Sequence, residues 1–438
     1  MVKRLVFNLK RCIYKPEVNA RFRNLMLSQF LSADEIEMRQ EQARQDIVRF
    51  AFQNVDFYRK FYGEVGFELG DIGKEGWFQN LPVLTKEHLR TSFEELVHQP
   101  SRKFLATSTT GGSTGTPTKS GYDGRIAEEI YPWRLQEWFG VHPWDHHAYI
   151  WRNSRTSRIA RLKNAVLWWP TRHLKLDASL MSEQSILEFL HEYNRLRPSL
   201  LQGYVGAVTQ VAQFVLDRRL DVWSPKFVWV TSAPLPPSQR DLIKRVFRAL
   251  VCDQYGSCEI RWIAQQCPEE GGLHVNVEHV NVEFVGADDK PVALGEYGRT
   301  LLTNLEDMVF PMIRYENGDR GRWLKEKCPC GRTLPLIDSV KGRESESFVL
   351  PSGKTVNGEY LTTIFDATPD IARGFRVIQH RDLSITVQCI PTAGCENEIK
   401  SVVTAFADKI GNEVRVTSEF VTEIPHDRGK LRFVVREK

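Results

Sequence analysis

The sequence predicts an α/β protein: a large N-terminal domain of mixed sheets with flanking helices, then a small α+β C-terminal domain. Three observations lead there. At 438 residues the chain exceeds one ordinary core. Residues 227–255 run strand, helix, strand, the order of a parallel sheet. The core pattern ends near Gly342-Arg343, and the last ~90 residues hold two strand-like runs and one helix. The expected domains are therefore 1–342 and 343–438.

The elements follow in order. Residues 33–64 read as helix, because Ser32 and Glu35 form a capping box and Ile36, Ile47, Phe50 and Ala51 make an apolar stripe. Residues 79–94 carry a Pro-Val-Leu-Thr turn into a short helix. A loop of small residues spans 106–117, and 125–140 is rich in helix signals. From 146 to 310 short apolar runs alternate with helical patterns. Residues 227–231 read as a buried strand, 237–249 as the next helix and 251–255 as the next strand. Residues 274–285 alternate strictly, which predicts an exposed-edge or antiparallel strand.

Composition sets outer limits. Hydrophobic residues make up 42% and charged residues 26%, as in a globular protein. Net charge is +4 from 59 basic and 55 acidic side chains, so no nucleic-acid partner is expected. No apolar run approaches the ~20 residues that cross a bilayer. The opening MVKRLVFNLKRC has a five-residue apolar patch broken at Lys10, too short for a secretory signal. A solvated extension is expected there, in preference to an amphipathic helix on a membrane surface. The eight cysteines are then expected as thiols or metal ligands in a reducing, cytoplasmic setting.

The most informative segment is Thr107, Ser108, Thr109, Thr110, Gly111, Gly112, Ser113, Thr114 and Gly115, closed by Pro117 and Lys119. Its glycines permit close backbone approach, and its hydroxyls and N–H groups can cradle phosphate oxygens beside the Lys119 cation. The alternative is a flexible surface loop. The spelling is not that of the mononucleotide P-loop.

This loop resembles the phosphate loop of the adenylate-forming superfamily of acyl-CoA synthetases, adenylation domains and luciferases. Four further motifs of that family follow in order. Asp253-Gln-Tyr-Gly-Ser-Cys-Glu259 is similar to Tyr-Gly-x-Thr-Glu, and Phe310-Pro-Met-Ile-Arg-Tyr-Glu-Asn-Gly-Asp319 to Tyr-Arg-Thr-Gly-Asp. Lys341-Gly-Arg343 resembles the Gly-Arg hinge, and Ile424-Pro-His-Asp-Arg-Gly-Lys430 the C-terminal Pro-x-x-x-x-Gly-Lys. Within the superfamily the chain resembles phenylacetate–CoA ligases and their CapK-like relatives from capsule-biosynthesis loci. The Asp-x-Tyr-Gly spelling, the short C-terminal domain and Cys-Pro-Cys-Gly-Arg before the hinge carry that likeness.

The resemblance implies ATP, Mg²⁺ and CoA, and gives each motif a role. Glu259 would hold Mg²⁺. Tyr255 and Gly256, within the motif begun by Asp253, would pack on one adenine face, with Ser232, Ala233 and Pro234 as the other wall. Asp319 would accept the ribose hydroxyls, since a carboxylate is acceptor-only. Arg343 would reach a phosphate or the ribose. Lys430 would neutralise charge in the transition state, and the small domain would turn about the hinge to admit the acceptor. The bland alternatives are a core aromatic for Tyr255, an Asn-Gly-Asp turn for Asp319, a surface ion pair for Arg343 and a basic tail for Lys430.

Cys267, His274, Cys328 and Cys330 suggest a closed, structural zinc site. Unrelated core thiols are the alternative, but Cys328-Pro-Cys-Gly sits in a charged turn. Cys252, Cys258, Cys389 and Cys395 lack partners at useful spacing. The run from His142 to His147 is read as a loop entering a strand, with His146 and His147 pointing opposite ways. Tyr131, Trp133, Trp138, Trp151, Trp168 and Trp169 are read as core rather than as an acyl pocket. Two departures from the family stand out: Cys258 precedes Glu259 in place of Thr, and the acidic pair after the hinge is Glu344-Ser-Glu346.

The function expected is ATP-dependent activation of an aromatic or small hydrophobic carboxylic acid to an acyl-AMP, with transfer to CoA. One rival transfers the acyl group to an amine, sugar or carrier protein. A second is a non-enzymatic nucleotide sensor, against which Glu259, Asp319 and Lys430 all argue.

Overall fold

The computed structural model describes residues 2–14, 16–109, 119–151, 168–178, 181–340, 348–352, 355–356, 364–365, 368, 371–424, 426–427, 430–431 and 434–437. The architecture is α/β, as expected, with parallel and antiparallel sheets and flanking helices. Two compact units arise. The first comprises Met1–Asn8, Phe139–Asp253 and Lys341–Lys438, and the second Leu9–Trp138 and Gln254–Val340.

In the first unit, the strands His173–Asp177, His147–Trp151, Leu200–Tyr204 and Phe227–Thr231 lie side by side and parallel, with Leu250–Tyr255 next in order. All five residues of Phe227–Thr231 are buried, as a strand covered on both faces requires. The helices Glu183–Leu196, Val205–Asp217 and Pro237–Phe247 connect these strands. Pro237 opens its helix at the first position, where a missing N–H costs nothing. Ile150, Leu201, Val211, Val228 and Ile243 knit sheet and helices into one core.

The same unit contains the C-terminal sheet. Its order is Val416–Phe420, Ile385–Pro391, Ala372–Gln379 and Val434–Arg436, antiparallel at the centre and parallel on both flanks. The helix Glu396–Lys409 covers it through Ile399, Val403 and Phe406. This is the α+β pattern read from the last residues, with more strands than the two legible runs.

The second unit begins with helices. Ser32 Oγ accepts from Glu35 N at 3.2 Å and Ser32 N donates to Glu35 at 2.9 Å, so the capping box forms. The helix expected over 33–64 is, however, two helices, Ala33–Asn54 and Asp56–Gly63, because Val55 between them is extended at φ −121°. The alternating segment 274–285 is likewise two strands, Leu273–Val275 and Val280–Val285, in different sheets. Antiparallel pairing is right, but the exposed edge is not: both strands are wholly buried. Between residues 125 and 140 the helix is confined to Ile130–Trp138.

The N-terminal segment is a helix, Val2–Tyr14, rather than a solvated extension. Phe7 meets Trp144 with ring centroids 5.8 Å apart. Among the described residues no helix is long and apolar enough to cross a membrane.

Candidate functional site

The site is built in the second unit from one hairpin, one strand end and one bulged strand. The hairpin pairs Leu105–Thr109 with Lys119–Asp123, Thr109 opposite Lys119. The first residues of the predicted small-residue loop are thus strand, as is Lys119 beyond it, and its remainder, with Thr110, Gly111, Gly112, Ser113, Thr114 and Gly115, lies outside the described residues. Thr107 is exposed opposite Gly121. Ser108 Oγ donates to the Cys258 carbonyl at 2.8 Å, tying the loop's first strand to the Tyr255–Glu259 motif. Lys119 is exposed, with Nζ 4.2 Å from the Phe93 ring centre. In this state its charge rests on an aromatic face.

Tyr255 ends its strand and begins the turn to Glu259. A side chain at Gly256 would meet Gln254 Nε2 at 2.9 Å and the Trp262 backbone N at 3.1 Å, so the chain folds back tightly here. Glu259 is buried, and Tyr315 donates to its Oε1 at 3.0 Å. No partner of Oε2 is found among the described residues. A single carboxylate with one oxygen held and one available suits Mg²⁺, which completes its shell with phosphate oxygens and water.

Asp319 is buried within the strand Tyr315–Gly321. The Asn-Gly-Asp triplet is not a terminal turn but a bulge: Arg299 faces Arg320 and Leu301 faces Glu316, so residues 317–319 lie against Thr300 alone. Gly318 absorbs the bend at φ +85°. Tyr255 OH donates to Asp319 Oδ2 at 2.8 Å, and Asn317 Nδ2 reaches the same oxygen at 2.8 Å and the Tyr255 hydroxyl at 2.6 Å. Tyr255 is therefore no mere core aromatic, and the carboxylate is held in one orientation.

Sequence reasoning gave Asn317 and Tyr315 no role. The structure gives them one: burial alternates along Tyr315–Gly321, and Tyr315, Asn317 and Asp319 are among its buried residues. Arg314 was also passed over. It is fully buried, pairs with Glu283 at 3.2 Å and donates to the Gln79 carbonyl at 2.8 Å. Arg314, one residue before the Tyr315–Asp319 motif, thus anchors the strand, and Glu316 stands where the family motif has its arginine. Asp307 closes the preceding turn, accepting from the backbone N–H groups of Asp123 at 3.0 Å and of Val309 and Phe310 at 2.9 Å. Burial pushes its carboxyl up to about 6, against those three hydrogen bonds and with help from the Asp123 charge.

In the first unit, Ser232, Ala233 and Pro234 follow the strand Phe227–Thr231, and the neighbouring strand carries buried Asp253. Ser232 holds φ +78°, a strained conformation for a residue with a side chain. Lys430 stands in a two-residue strand opposite Asp427. Arg343 lies outside the described residues, as do Glu344 and Glu346.

The candidate metal ligands converge in the second unit. Ligand atoms of Cys267, His274, Cys328 and Cys330 all lie within 4.8 Å of one another. Cys267 Sγ is 3.4 Å from Cys328 Sγ, and Cys330 Sγ is 3.4 Å from His274 Nε2. Those separations exceed a disulfide bond. Four donors placed tetrahedrally ~2.0–2.3 Å from zinc stand about 3.3–3.8 Å apart, and both of these separations lie in that range, so these residues could hold zinc. Gly331 makes the bend after Cys330 at φ +78°. Burial pulls His274 down to about 4, which keeps its ring in the neutral, ligating form.

Other predicted features separate. Tyr131, Trp133 and Trp138 are core, and Trp151 packs on Tyr204 with ring centroids 4.2 Å apart and the planes tilted by 31°. Trp168 and Trp169 are exposed. His147 begins its strand buried, while His146 accepts from Arg172 N at 2.9 Å, so the two do diverge. Cys252 and Cys389 are buried, and Cys258 and Cys395 half-buried, all as free thiols.

Residues 348–437 match the family model of the CapK C-terminal domain. The chain is 23% identical to the protein CapK of Staphylococcus aureus, over 86% of this chain and 84% of that one. It is 23% identical to a phenylacetate-coenzyme A ligase of Thermus thermophilus, over 97% and 92%. A crystal structure of 2-hydroxyisobutyryl-CoA ligase in the postadenylation state superposes with a TM-score of 0.73 at 18% identity, covering 93% of this chain and 91% of that one. An amide bond synthetase from Marinactinospora thermotolerans superposes with a TM-score of 0.54 at 16% identity, covering 75% and 68%. Five motifs in the family's order and relatives that match along most of their length support this chain as a member of the adenylate-forming superfamily.

Proposed function

We propose that this chain is an AMP-forming acid–thiol ligase. It joins a carboxylic acid, aromatic or small and hydrophobic, to AMP and passes the acyl group to CoA. The observation that carries the reading is the buried Asp319 carboxylate held by Tyr255 and Asn317, in the same unit as Glu259. An acceptor-only group fixed in place suits a ribose diol.

In the first step a carboxylate oxygen of the acid attacks the α-phosphorus of ATP. A new P–O bond forms as the bond to the β-phosphate bridging oxygen breaks, and pyrophosphate takes the electron pair. In the second step the CoA thiolate attacks the acyl carbon, a C–S bond forms, and AMP leaves. No side-chain nucleophile is needed, so positioning and electrostatics carry catalysis. Mg²⁺ held at Glu259 would neutralise phosphate charge. The phosphate loop and Lys119 bind the triphosphate, with Arg343 at a phosphate or the ribose. Tyr255, Gly256 and the Ser232–Ala233–Pro234 segment, with Asp253, enclose the adenine. Lys430 offsets charge at the α-phosphate and the acid's carboxylate. The 343–438 segment acts as a lid that turns about its hinge between the steps. The zinc cluster is structural, and the enzyme works in the cytoplasm.

The experiment is ATP–pyrophosphate exchange over a panel of carboxylic acids, repeated with CoA and with amines. Acid-dependent exchange with AMP as product is expected. Turnover that yields ADP would overturn the reading. A second acceptor class, an amine, sugar or carrier protein, is favoured by the likeness to an amide bond synthetase. Product release that answers to an amine but not to CoA would select it.

A further inference from the structure

Over Lys3–Lys10 the helix Val2–Tyr14 turns two leucines to water. On an α-helix, residues four apart share a face and residues two apart stand about 200° apart. Lys3 and Phe7 form one such pair, and they face the protein: Lys3 Nζ is 2.8 Å from His146 Nε2, and Phe7 meets Trp144. Leu5 and Leu9 form the opposite pair, and they are 59% and 64% exposed. A surface helix ordinarily buries its apolar stripe, as Ala33–Asn54 does with Ile36, Ile47, Val48 and Ala51. Here two leucines point to water while a lysine and a phenylalanine make the contacts.

Charge indicates what covers that face. The helix carries Lys3, Arg4, Lys10 and Arg11 and no acidic residue. Arg4 is exposed, its guanidinium 5.7 Å over Trp144. Apolar side chains flanked by cations are the make-up of a helix that lies in the boundary of an anionic bilayer. A second copy of the chain is a poorer occupant, because a symmetric pairing on this face would bring two all-basic helices together.

We propose that the Val2–Tyr14 helix docks the protein onto an anionic lipid surface, with Leu5 and Leu9 entering the acyl boundary and exposed Arg4 beside them meeting headgroups. The inference does not depend on the proposed catalytic reading. The test is co-sedimentation of the full chain with vesicles of phosphatidylcholine alone and with about one-third phosphatidylglycerol. Binding to the anionic vesicles at low salt is expected, with little to neutral ones and loss at high salt. Leu5→Gln combined with Leu9→Gln should weaken it about tenfold while circular dichroism and melting stay unchanged. The proposal is overturned if the wild-type chain stays in the supernatant with anionic vesicles, or if the double variant binds them equally. It is also overturned if the variant instead converts a dimer to a monomer by light scattering without any vesicle binding, which would make the face a chain–chain interface.

Discussion

The hydroxyl of Tyr255 lies 2.8 Å from Oδ2 of Asp319, so two motifs separated by 64 positions share one hydrogen bond. Asn317 joins both through its amide. Tyr255→Phe removes one neutral-to-charged hydrogen bond and should raise the KM for ATP about three- to tenfold. Asp319→Asn removes the acceptor charge and should raise it about ten- to a hundredfold. Calorimetric titration with ATP checks both. Wild-type affinity in the Asn variant would remove Asp319 from the nucleotide site.

Lys430 sits opposite Asp427 in a short strand pair. If its ammonium neutralises charge that develops at the α-phosphate, Lys430→Ala should lower acid-dependent ATP–pyrophosphate exchange by about a hundredfold or more. ATP binding should change only a few-fold, because the interaction belongs to the transition state. Unchanged exchange in that variant would assign adenylation to other groups.

The Cys267–His274–Cys328–Cys330 cluster joins segments distant in sequence. Elemental analysis of untagged protein should find about one zinc per chain. Cys328→Ser should lower zinc content and the melting temperature together, since structural metal binding is linked to folding. Substoichiometric zinc in the wild-type chain would count against the site.

Asp307 predicts a pH dependence. Its folded value of about 6 stands above the ordinary 3.8, with burial as the main cause. Between those values the folded chain keeps a proton that the unfolded chain has released. This group's contribution is therefore most favourable at and below about pH 4, falls as pH rises to about 6, and stays low above. Two pH units correspond to ~3 kcal/mol at most. Asp307→Asn imitates the protonated form, so stability of the wild-type chain relative to this variant should decline through that window in chemical denaturation. A flat difference would mean that the carboxylate is ionised throughout.

The sequence by itself determined what depends on neighbours along the chain. The Ser32–Glu35 capping box, the buried strand at 227–231 and the helix that opens at Pro237 are local signals, and each formed where it was read. The order of the motifs was legible for the same reason. Tertiary structure alone decided the rest. Val55 splits a helix that periodicity runs together. The alternation at 274–285 conceals two strands buried on both faces, because burial depends on what packs against a strand and not on its own pattern. The bulge that aims Asp319 arises from pairing with Thr300. Cys267, His274, Cys328 and Cys330 meet because the strand Leu273–Val275 and the segment before it pack against the separate turn at 328–330, and the leucines of the N-terminal helix face water because Phe7 and Lys3 took the protein side. Local propensity acts over a few residues, whereas convergence and exposure are fixed only when distant surfaces meet.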